Sequence, residues 1–253
     1  MFKLIKYELR STFFTILGIC IAVIIANMIL ITKKGTTDVA VIPALSVCLA
    51  IGAFIVIFIS SLRIMSKYLY GEEGYLLFTL PQSGASIVTS RLITSLVQIS
   101  IVLFVSLLMF YFTIPEQMDL SFLNKLKANE ILFSISGYIW ATITSLTLIY
   151  FCMIIGKVAL KGKKIGKIGS FVIFIIISLI IGWLSSKITT LFPQTLNLGG
   201  SSIANNFTTS NSGFSISGMP LSVNIAGTIF EIITFAGCFI TSSFLIDKKL
   251  DLS

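Results

Sequence analysis

Six runs of about twenty apolar residues, almost free of charge, limit what this chain is able to fold into: Thr12–Thr32, Val41–Leu62, Leu92–Ile114, Ile131–Ile155, Ile168–Ser186 and Ile225–Ile246. As helices rising about 1.5 Å per residue, runs of this length match a hydrocarbon layer of about 30 Å. Only the last run holds a charged side chain, Glu231. In lipid every backbone polar group must be satisfied within the segment, so uncharged runs of this length read as helices. Composition agrees. The chain is 56% hydrophobic and only 11% charged, whereas soluble domains carry about 25% charged residues. The pattern predicts an all-α membrane protein of six transmembrane helices, a single membrane domain over 1–253 with no room for a soluble catalytic domain.

Several chemistries are excluded at once. The chain has no histidine, which removes His-based catalysis and His-ligated metal. Cys20, Cys48, Cys152 and Cys238 all fall inside spans, where they read as packing residues and not as disulfides. The first span exceeds the roughly 7–15 apolar residues of a signal peptide, and Lys33-Lys34 stands where small residues belong. The Lys/Gly-rich stretch 156–169 fails as a phosphate loop. Three residues separate Gly162 from Gly166, and Ile168 occupies the place of the magnesium-binding Ser or Thr. The chain therefore carries no nucleotide hydrolysis of its own.

Basic residues set the expected orientation. With the N-terminus in the cytoplasm, thirteen Lys and Arg fall inside and five outside (Lys33, Lys34, Lys125, Lys127 and Lys187), so both termini are expected in the cytoplasm. Basic cytoplasmic loops facing anionic lipid account for the net charge of +8 without nucleic acid. In residues 1–11, Phe2, Ile5 and Leu9 share one helical face and Lys3, Lys6 and Arg10 a neighbouring one. This suits an amphipathic helix in the membrane interface, or a positive flank that only orients the first span. Outside, 188–224 is uncharged and rich in Ser, Thr, Asn and Gly. It reads as short helices re-entering the membrane or as a polar loop. Glu231 is either a gate or pathway residue or sits at head-group depth. Arg63 and Arg91 read as snorkelling markers of the membrane boundary.

The segment between them, 63–91, faces the cytoplasm in this orientation. It holds Gly71-Glu72-Glu73-Gly74-Tyr75-Leu76-Leu77-Phe78-Thr79-Leu80-Pro81, an acid pair between glycines followed by an apolar ridge. The ridge suits docking into an apolar cleft, since interface hot spots are commonly buried aromatics; the competing reading is a stretch lying on lipid. This segment resembles the E-G-Y-L-x-F-T-L-P stretch of ABC-2 type (type V exporter) permeases from Gram-positive bacteria, and the six-span plan resembles theirs over the whole chain. The resemblance implies a non-enzymatic permease subunit in a bacterial plasma membrane. It implies a coupling helix within 63–91, with Glu72, Glu73, Gly74, Tyr75, Leu76, Leu77 and Phe78 meeting a separate ATPase chain. The N-terminal interface helix would flank it, and 188–224 would form short re-entrant helices over an outer gate. Two ATPase copies, holding ATP and Mg, would work with two permease copies, as a homodimer or a paralogous heterodimer. Length and layout are similar to permeases exporting amphipathic peptide toxins of the phenol-soluble modulin type, or giving immunity to peptide antibiotics. Lipid-like molecules or drugs are the alternative cargo, and a secondary transporter or non-transporting scaffold the alternative functions.

Overall fold

The computed structural model describes residues 2–33, 41–70, 83–113, 128–159, 166–197, 203–204 and 222–249. They form helices α1 (Phe2–Thr32), α2 (Val41–Tyr70), α3 (Gly84–Thr113), α4 (Ala128–Ala159), α5 (Gly166–Leu191) and α6 (Ile225–Lys249), with three short strands between the last two. Each of the six helices contains a stretch long and apolar enough to cross a membrane. The protein is thus an all-α, multi-pass membrane protein. Where a soluble fold would present charge, it presents apolar side chains: Phe14, Phe104, Leu179 and Ile233 are all well exposed, the surface that lipid covers. The chain divides into two compact units, 1–143 and 144–253, with α4 contributing its first part to one and its second part to the other.

In the first unit α1, α2 and α3 pack against one another, with α3 contacting both neighbours most heavily. One stripe of α3 (Ile87, Arg91, Thr94, Gln98, Val102 and Ser106 among others) is buried, with the three- and four-residue spacing of a helical face. The facing stripe of α1 is Glu8, Ile16, Val23 and Asn27. α2 runs two turns past its apolar run because those turns are amphipathic. Ile64, Met65, Tyr68 and Leu69 turn inward, while Arg63 and Lys67 stay exposed. At the end of the unit where α1 meets α2, Ser46 donates to Asn27 Oδ1 at 2.7 Å, and Asn27 Nδ2 donates to the Val23 carbonyl at 2.9 Å. Polar pairs of this kind fasten helices in lipid.

In the second unit α5 packs on α6. α4 and α5 come close at Gly156, where an added Cβ would stand 3.0 Å from the Ser170 Cα. The strands β1 (Thr195–Asn197), β2 (Ile203–Ala204) and β3 (Ser222–Asn224) form an antiparallel sheet in the order β2-β1-β3, with Thr195 opposite both Ala204 and Asn224. Asn224 closes β3 and caps α6. Its Oδ1 accepts from the Gly227 N–H at 2.8 Å, and its Nδ2 donates to the Phe192 carbonyl at 2.9 Å. A side-chain oxygen at this position satisfies one of the orphan donors of the helix start.

One expectation changes. Residues 2–11 do not form a separate interface helix. They are the opening turns of α1, which runs unbroken to Thr32. Between Leu191 and Ile225 the described residues hold three short strands, and most of 188–224, where re-entrant helices are expected, lies outside the described residues. β1 pairs through backbone groups, and the polarity of its residues gives no period-two pattern to reveal it.

Candidate functional site

The connection between α2 and α3 narrows to 71–82, since helix occupies 63–70 and 84–91. Ser83 stands at the head of α3, its carbonyl accepting from the Ile87 N–H at 3.2 Å. Glu72, Glu73, Gly74, Tyr75, Leu76, Leu77 and Phe78 lie outside the described residues. What the structure defines is the platform that carries them. α1 and α2 are joined through 33–40 and α2 and α3 through 71–82, so the start of α1, the end of α2 and the start of α3 share one end of the first unit.

At that end lies a buried polar cluster. Arg91 Nη1 on α3 is 2.8 Å from Glu8 Oε1 on α1, with side chains only 8% and 10% exposed. The contact is an ion pair that is not aligned as a hydrogen bond. The Arg91 guanidinium also lies over the Tyr68 ring of α2, 5.2 Å from its centroid, within the range of a cation–π interaction. Arg91 thereby joins all three helices. One turn along α1, the Thr12 hydroxyl donates to the Glu8 carbonyl at 2.9 Å and accepts from Gln98 Nε2 of α3 at 2.7 Å. The Thr94 hydroxyl donates to the Ser90 carbonyl at 2.8 Å. Among the described residues, Arg91 Nε and Gln98 Oε1 are buried without a hydrogen-bond partner.

Arg91 is therefore no snorkelling boundary marker. It turns inward because its carboxylate partner does. Arg63 is exposed, as a boundary residue would be. Of the N-terminal residues, Lys6 and Arg10 are exposed and Ile5 and Leu9 half-buried. The backbones of Phe2 and Lys3 belong to the same helix. The residue that reading the N-terminus as amphipathic passed over is Glu8. Its signal is register: carried back from Asn27, Val23 and Ile16, the inward stripe of α1 arrives at Thr12 and Glu8.

Glu231 is exposed on the second turn of α6 and is not enclosed by the residues around it. The described residues contain no cluster of His, Cys, Asp or Glu able to hold a metal. The described geometry is a buried ion pair and a cation–π contact that link the start of α1, the end of α2 and the start of α3 next to the 71–82 connection. Comparison with family models, with curated proteins and with solved structures returned no match.

Proposed function

We propose that this chain is the membrane subunit of an ABC-2 type exporter, worked by a separate ATPase that docks on the 71–82 connection. What supports the reading is the pairing of an acidic and aromatic sequence, GEEGYLLFTLP, with a root in which a buried ion pair fastens α3 to α1 and a cation–π contact fastens α3 to α2. A partner that closes on nucleotide can move membrane helices only through a protrusion on its own side. The described ends of α2 and α3 make a stiff base for one. Two ATPase copies would hold the ATP and Mg, and a second permease copy would complete the pathway. The distribution of basic residues favours both termini in the cytoplasm, and the resemblance implies the plasma membrane of a bacterium.

The cargo fits amphipathic peptides. The spans offer apolar faces dotted with Ser, Thr and Asn, and a single span charge, Glu231, outside the basic flanks. A strongly anionic polymer as cargo contradicts this reading.

Docking is tested by changing the ridge while leaving its root intact. Tyr75→Ala combined with Phe78→Ala is expected to lower co-purification of the ATPase tenfold or more, while the permease still extracts as a folded protein. Undiminished co-purification overturns docking through this ridge.

A further inference from the structure

The start of α1 has no direct covalent link to the α2–α3 connection. α1 joins α2 at the opposite end of the first unit, through 33–40. A displacement arriving at 71–82 therefore reaches the start of α1 directly only through side-chain contacts, the covalent route running the length of α2 and back along α1. Apolar contacts between helices are non-directional and let one helix slide along another. A buried ion pair does not, because separating it strands a charge in a low-dielectric interior.

We propose that the Glu8–Arg91 pair, with Tyr68 over the guanidinium, is the tie that makes α1 follow when the α2–α3 hairpin is pushed at 71–82. The inference rests on the reading of 71–82 as the docking point of an ATPase. Arg91 takes a partner from each neighbour: the Glu8 carboxylate at 2.8 Å from α1 and the Tyr68 ring at 5.2 Å from α2. The Gln98–Thr12 bond, 2.7 Å, repeats the α1–α3 link one turn deeper. At the other end of α1 the Ser46–Asn27 bond holds it to α2. Pinned to α3 at one end and to α2 at the other, α1 moves as a lever with the hairpin. Glu8 and Arg91 are positioning residues; neither needs to touch cargo or nucleotide.

The test is hydrogen–deuterium exchange on the full chain in complex with its ATPase, with and without trapping by Mg·ATP and vanadate. In the wild-type complex, trapping is expected to change exchange in the opening turns of both α1 and α3. In Glu8→Gln with Arg91→Gln the α3 response persists, while the α1 response falls to a third or less. The charge-swapped pair Glu8→Arg with Arg91→Glu restores it. Glu8→Asp, which keeps the charge on a shorter arm, halves the α1 response and guards against failure of the neutral pair to fold. An α1 response that survives both the neutral pair and Glu8→Asp overturns the tie. So does faster α1 exchange by the same factor in both states, the mark of a purely structural pair. A wild-type chain that binds no ATPase and shows no response in either helix sinks the transporter reading, and the tie with it.

Discussion

Arg91 shows what a charge at the end of an apolar run is able to do besides marking the edge of a membrane. Its guanidinium is buried against Glu8 and Tyr68, and truncating one partner leaves the other charge unpaired. Losses of this kind cost about 3–5 kcal/mol. Glu8→Ala should therefore unfold the detergent-solubilised protein at markedly lower temperature. The pair Glu8→Ala with Arg91→Ala should lose less than the sum of the single losses, because the two side chains are in direct contact. Strict additivity would mean that the pair contributes nothing to holding α1 on α3. The sequence makes the two charges visible and leaves their partnership hidden. Reading only the uncharged cores of the runs ends the helices too early, and both charges then fall among the flanks. Helix register carried outward from the cores puts both on inward stripes.

At the level of elements, all six helices were legible because an uncharged run of about twenty residues has few other uses. Their lengths were not. α1, with 31 residues, extends about 46 Å at the usual rise, well past a hydrocarbon core of about 30 Å. Its opening turns therefore carry the same helix beyond the hydrocarbon core, where a separate surface helix was expected. The three-stranded sheet was hidden for a different reason: strands of two and three residues are too short for any period to register. Close approach is likewise a property of pairs of elements. Gly156 lets the α5 backbone at Ser170 come near α4, and a Cβ would lie 3.0 Å from the Ser170 Cα. Gly156→Val should push the two helices apart and cost about 1–3 kcal/mol as overpacking, read as a lower unfolding temperature. Stability equal to wild type would mean that the two helices do not meet there.

At the scale of the molecule, the fold is that of a multi-pass membrane protein. Its proposed work depends on an arrangement that no single segment of sequence displays. The motif in 71–82 and the charges at Glu8 and Arg91 are far apart along the chain for α1, yet the topology gathers their helix ends at one end of one unit. Sequence resemblance suggested what docks there, and the packing suggests how a push there spreads. The cargo was not legible, because apolar faces dotted with hydroxyls serve helix packing as well as a pathway. The central claim is that energy enters this chain from a separate ATPase through 71–82. The most direct measurement is the Mg·ATP turnover of that ATPase in proteoliposomes, alone, with the wild-type chain, and with the Tyr75→Ala, Phe78→Ala chain. The account predicts that the wild-type chain changes turnover severalfold and the double variant leaves the value of the ATPase alone. Identical turnover with wild-type and variant chains would contradict it.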